Sequence, residues 1–141
     1  MSESTQPRPV RGGFIFALSL TGVVMGLLTS LVGLPQAVEV SVWIAAYVVW
    51  GVVVVRTRQR PFLTTLLASL LSGVWTGTLQ VVLAEQYIAN NPWYAEDIVQ
   101  AGGMTAAAVI GFALTMGLAW GLVVGGIVTL VARRRDRAQS S

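Results

Sequence analysis

The stretch VVWGVVVVRTRQRPFLTTLLASLL, residues 48–71, holds two uncharged apolar runs separated by Arg56, Arg58, Arg60 and Pro61. Followed outward, the left-hand run covers 38–55 and the right-hand run covers 62–84. A helix needs about 20 residues to cross the hydrocarbon of a bilayer, and these runs approach or exceed that length. Guanidinium groups are costly inside hydrocarbon, so RTRQR must turn the chain around at a membrane surface. Pro61 suits the first turn of the helix that follows, where its missing N–H costs little. The stretch therefore reads as a transmembrane helical hairpin.

Two more apolar runs flank it, 14–34 and 105–132, and Glu39 is the one charge inside the four. Span two is short, about 27 Å at the helical rise. Span four is long and is expected to tilt or protrude. No alternating pattern points to a barrel, and lipid leaves the backbone only the helix as an alternative. The expected fold is all-α, a polytopic four-transmembrane-helix bundle over 14–132, with a tail at 1–13 and a basic tail at 133–141. Span one, about 21 residues long, is too long for the core of a signal peptide, and PQA at 35–37 is a poor cleavage site. It is expected to stay uncleaved.

Orientation follows from arginine. Arg8 and Arg11 precede span one, Arg56, Arg58 and Arg60 join spans two and three, and Arg133, Arg134, Arg135 and Arg137 follow span four. Nine arginines with Glu3 and Asp136 on one side, and Glu39, Glu85, Glu96 and Asp97 on the other, divide the net +3 into +7 and −4. The positive side is the cytoplasmic one, so both termini are expected inside, in the inner membrane of a bacterial cell.

Composition restricts the chemistry. Apolar residues make up 55% of the 141 and charged ones 11%, about half the charged share of a soluble domain. The chain has no Cys, His or Lys. Disulfides, thiolate nucleophiles and imidazole bases are thereby excluded, as are Schiff bases. No enzyme activity, cofactor or metal site is expected.

Lipid tails are as apolar as leucine, so membrane helices associate through close packing of small residues. Span one has Ser19, Gly22, Gly26, Thr29 and Gly33 on one stripe. Span three has Thr65, Ser69, Ser72 and Thr76, with Gly73 and Gly77 alongside. Span four has Gly117, Gly121 and Gly125. These stripes suit the inside of the bundle, and the glycines of span four also suit a dimer face. Trp43, Tyr47 and Trp50 share one face of span two and suit lipid contact or gap filling. Ser72, Thr76 and Gln80 continue the polar side of Ser69. They fit either hydrogen bonds between helices or the lining of a path for a small solute.

Arg133, Arg134, Arg135 and Arg137 are placed to contact anionic lipid headgroups. No folded domain accompanies them, so nucleic acid is not an expected partner. Between spans three and four, Asn91 reads as an N-cap before Pro92, and Gly102 and Gly103 as the stop. PWYAEDIVQA, 92–101, is then a short outer helix. Trp93 and Tyr94 would anchor it in the headgroup layer.

RPFLTTLLASLLSGVWTGTLQ at 60–80, YIANNPWYAEDI at 87–98 and the glycine-rich last span with its basic end carry a resemblance. They resemble a family of small bacterial four-helix integral membrane proteins classed as a domain of unknown function. Phe62, Tyr87, Asn91, Pro92, Glu96 and Asp97 are the matching positions, and the resemblance covers about the second half of the chain. The resemblance implies four spans and no activity. The sequence thus leads to the expectation of a non-enzymatic membrane protein acting through helix–helix or outer-loop contacts. Its partners would be the lipid bilayer and either further copies of itself or another membrane protein, to which it would be an accessory subunit. The alternative is a transporter or channel subunit with Ser69, Ser72, Thr76 and Gln80 on the path.

Overall fold

A computed structural model of the chain describes residues 10–57, 60–100 and 102–140. Glu3, Arg8, Arg58 and Ala101 lie outside the described residues, and of Ala95, Glu96, Val99 and Ser140 only the backbone is described. The described chain is helical, with no strands: α1 (Gly12–Leu31), α2 (Gln36–Thr57), α3 (Pro61–Val82), α4 (Ala84–Asn90), α5 (Pro92–Gln100) and α6 (Ala106–Ser140). Four of them, α1, α2, α3 and α6, are long and apolar enough to cross a membrane. The protein is a multi-pass membrane protein.

The helix limits differ instructively from the apolar runs. α2 has 22 residues, about 33 Å at the helical rise, because it starts before its apolar run and continues through Arg56. It is not a short span. α6 has 35 residues, about 52 Å. It runs on through Arg133–Arg137, so its basic end projects well beyond a hydrocarbon core about 30 Å thick. α1 stops at Leu31, and Gly33, expected on the packing stripe of span one, stands past the helix end with φ +72. The N–H groups of Val32 and Gly33 both bond the Leu28 carbonyl, at 3.1 and 3.2 Å, and close the last turn. That left-handed residue favours glycine. Span three ends two residues early, at Val82, and α4 follows after Leu83.

The interior is inverted relative to a soluble protein. Its fully buried side chains are largely those of Ser19, Thr29, Ser30, Thr64, Thr65, Ser69, Ser72 and Asn91, whereas Phe112, Val48, Leu130 and Val82 are more than half exposed. Hydrocarbon outside and small polar groups inside is the arrangement that packing in lipid requires.

α3 is the centre of the assembly, flanked by α1 and α6. It runs parallel to α1, pairing Ser19 with Ser72 and Thr29 with Gln80, and antiparallel to α6, pairing Ser69 with Gly117 and Phe62 with Gly125. α2 makes far fewer backbone approaches to the others.

Candidate functional site

The α1–α3 and α3–α6 interfaces are built on glycines that let the facing helix approach closely. A Cβ on Gly22 would run into the carbonyl oxygen of Ser72, and one on Gly73 would stand 2.5 Å from the carbonyl oxygen of Ala113. Gly26 lies against Thr76 and Leu79, and Gly77 against Ile110 and Ala113. Gly117, Gly121 and Gly125 lie against Ser69, Leu66 and Phe62 of α3. All three span-four glycines expected on a packing stripe are therefore used inside the chain.

Backbones this close put hydroxyls within reach of carbonyls on the next helix. Ser72 donates to the Ser19 carbonyl at 3.2 Å and Thr76 to the Gly22 carbonyl at 2.9 Å. Three two-step relays accompany them. Ser69 donates to the Gly117 carbonyl at 2.8 Å, so the Tyr47 hydroxyl, 2.8 Å from Ser69 Oγ, is its donor. Trp75 Nε1 donates to Ser19 Oγ, which donates to the Phe16 carbonyl. Gln80 Nε2 donates to Thr29 Oγ1, which donates to the Met25 carbonyl. Ser69, Ser72 and Thr76, expected to line a polar path or to bond between helices, are thus buried in helix contacts with their hydroxyls donating to backbone.

α2 is held differently, by rings. Tyr47 and Trp50 are buried. Tyr47 stacks on Trp120 of α6 at 5.8 Å between centroids, and Trp50 Nε1 donates to Thr21 Oγ1 of α1 at 3.2 Å. The rings fill the space between α2 and the other three helices. Toward the C-terminal ends of α2 and α6 a groove of about 430 Å³ runs beside the close contact of Gly51 with Val128. Gly51 and Val128 line it, as do Tyr47 and Trp120 farther up, and Arg56 and Arg135 line its opposite end. The remaining lining side chains are valine and isoleucine. The Tyr47 hydroxyl is committed to Ser69, so the ring offers this groove little more than carbon.

At the end away from the arginines, two adjacent asparagines close α1. Asn91 Nδ2 donates to the Thr29 carbonyl at 2.8 Å and to the Tyr87 carbonyl at 2.7 Å. Asn90 Nδ2 donates to the carbonyls of Ser30 and Leu31 at 2.9 and 3.1 Å. The last carbonyls of a helix lack partners within it, and a membrane offers little water to supply them. Asn91 does precede Pro92 at the start of α5, but its amide serves α1 and α4. Asn90 carries the same function and was not singled out from the sequence. Nor was α4, whose turn carries both residues to α1. Gly102 and Gly103 do end α5, with φ +85 and +92 and with the Gly103 N–H bonded to the Ile98 carbonyl.

Around this clamp, the Tyr87 phenol is pushed up to about 12, by burial first, then by the Glu39 carboxylate and by Tyr94. Burial and Glu39 also raise Tyr94. Trp93 is 46% exposed and stands edge-on to Tyr94 at 6.3 Å. Of the four tail arginines expected to contact lipid, Arg135 lines the groove, while Arg133, Arg134 and Arg137 are exposed on the projecting end of α6. Among the described residues no three acidic side chains gather to hold a metal ion. No protein-family model, no curated protein and no solved structure matches this chain.

Proposed function

We propose that this chain is a non-enzymatic accessory protein of a bacterial cell membrane, with both ends in the cytoplasm and α5 on the outer surface. It works by holding another membrane component on the face formed by α2 and α6. The observation that carries this reading is the groove between those helices, apolar along its length and basic at one end. The glycine stripes of α1, α3 and α6 are occupied within the chain and so give little support to a glycine-mediated dimer. α2, fastened by a few ring contacts, is the element left with a recessed face to offer. The cytoplasmic assignment rests on the arginines, which gather where α1 and α3 begin and α2 and α6 end.

A photoreactive residue in place of Val52, on the groove wall, tests this in intact cells. Leu20, 42% exposed on α1, is the control position. The expected result is a discrete adduct by intact mass from position 52 and only diffuse labelling from position 20. Identical patterns at both positions would remove the α2–α6 face from its role.

A further inference from the structure

We infer that the groove between α2 and α6 binds one acyl chain of an anionic phospholipid, with its phosphate held between Arg56 and Arg135. The inference rests on the α2–α6 face being the working surface, and it names what that surface holds.

Length supports it first. Ile44 and Arg56, at the two ends of the α2 wall, are about 18 Å apart at the helical rise. Trp120 and Arg135, at the two ends of the α6 wall, are about 22 Å apart on the same basis. One leaflet with its headgroup layer is about 20 to 22 Å thick. The groove therefore matches one leaflet, with the Tyr47–Trp120 stack near the bilayer midplane and the two guanidinium groups at headgroup level.

Shape supports it next. The groove, of about 430 Å³, is open along one side and lined by branched aliphatic side chains and two rings, so a flexible methylene chain lies in it with carbon–carbon contacts of about 3.5 to 4 Å.

Charge decides the headgroup. Both polar side chains at the mouth are arginines, and no acidic residue is among the lining. Guanidinium donors match phosphate oxygens in a paired geometry that an ammonium lacks. A zwitterionic headgroup carries the same phosphate charge but adds an ammonium that the two guanidinium groups repel, so the anionic headgroup is favoured. The two residues come from different helices, 79 positions apart in the chain.

The test uses the full-length protein in nanodiscs of phosphatidylcholine with a minor fraction of phosphatidylglycerol of the same acyl chains. Native mass spectrometry after release reads the lipid retained. The expected result is one retained lipid per chain, enriched at least tenfold in phosphatidylglycerol over its share of the bilayer. Arg56→Gln with Arg135→Gln abolishes that enrichment. Val52→Trp, which fills the groove from its wall, abolishes retention of either lipid. Arg133→Gln with Arg134→Gln removes the same charge outside the groove and leaves both results unchanged. Thermal unfolding of each variant checks that it is folded.

Equal retention of the two lipids overturns the inference, and so does an equal loss from the Arg133/Arg134 variant. An adduct at position 52 with the mass of a protein, or of a second copy, overturns the lipid as occupant while the working face stands. Absence of any specific adduct at position 52 removes both.

Discussion

Gly22→Ala is the sharpest probe of how the helices are held. The new Cβ would meet three backbone atoms of Ser72, with Cα at 2.6 Å and the carbonyl carbon at 2.7 Å. None of them can rotate away. Carbon contacts settle at about 3.5 to 4 Å, so α1 and α3 must separate by roughly 1 Å. That displacement would stretch the Thr76–Gly22 bond of 2.9 Å and the Ser72–Ser19 bond of 3.2 Å beyond hydrogen-bond range. Hydrogen bonds between membrane helices are worth about 0.6 kcal/mol each on average, and overpacking adds about 1 to 3 kcal/mol. Alanine recovers up to about 1 kcal/mol of helix propensity. The net expectation is a loss of about 1 to 3 kcal/mol. Gly126→Ala is the counterpart, because nothing lies within 4 Å of a Cβ there. It should be neutral or stabilising by up to about 1 kcal/mol. Reversible unfolding in mixed micelles, followed by tryptophan fluorescence, measures both; Trp75 reports directly, being bonded to Ser19 across the interface. A Gly22→Ala protein as stable as the parent, or a Gly126→Ala protein equally damaged, would refute the interface described.

Other expectations are as specific. Asn91→Ala removes the donor to the Thr29 and Tyr87 carbonyls and should cost about 1 to 3 kcal/mol for the buried groups left unpaired, with faster amide exchange at the end of α1. Tyr47→Phe keeps the stack on Trp120 and should cost about 0.6 kcal/mol, at most about 1.7. Ser69→Ala breaks two links of the same relay and should cost more, and a double-mutant cycle should show the two changes to be non-additive. The Tyr87 phenol, raised in the folded protein to about 12 from about 10 when unfolded, contributes stability that is full below about pH 10. That contribution is lost as pH rises through the folded value. Glu39→Gln should lower the Tyr87 titration but leave it above the ordinary value, because burial is the larger cause; the absorbance difference from Tyr87→Phe isolates it. In a chain without cysteine, Gln100→Cys should react with an impermeant maleimide on whole cells and Gln139→Cys only after permeabilisation.

The four spans were legible because a bilayer makes an extreme demand on composition. Long uncharged runs bounded by arginine have few other uses. The packing stripes were legible as stripes, since spacings of three and four place residues on one helix face. Their partners were not. Gly125 and Gly126 are adjacent glycines in the sequence, yet only Gly125 meets a neighbour, Phe62. Gly117, Gly121 and Gly125 read equally well as a dimer face until Ser69 and Leu66 are seen against them. Asn91 was placed correctly before Pro92, but its amide bonds a carbonyl 62 residues away, which no local pattern encodes. α4 escaped notice because its mixed composition, AEQYIAN, carries no strong period in so short a segment. The groove was least legible of all. It needs two helices that are not consecutive and two arginines that the sequence assigns to a loop and to the C-terminal tail.

The groove also follows from how the chain solves association without a hydrophobic driving force. Where two helices carry small residues face to face, their backbones close up and hydroxyls reach across, as α3 does with both α1 and α6. α2 has bulky rings where the others have glycine and serine, and it has Gly51 one residue past Trp50. The rings fill the contact at their own level, and one turn on, Gly51 lets α2 come close to α6, with the groove running beside that contact. Val128 Cγ2 is the nearest atom to a Cβ at Gly51, at 3.2 Å. A larger residue there would push α2 away from α6. In water such a gap would collapse or stay empty at a cost. In a bilayer the surrounding solvent is itself made of methylene chains, so the rings and the lipid together complete the packing that α2 lacks on its own.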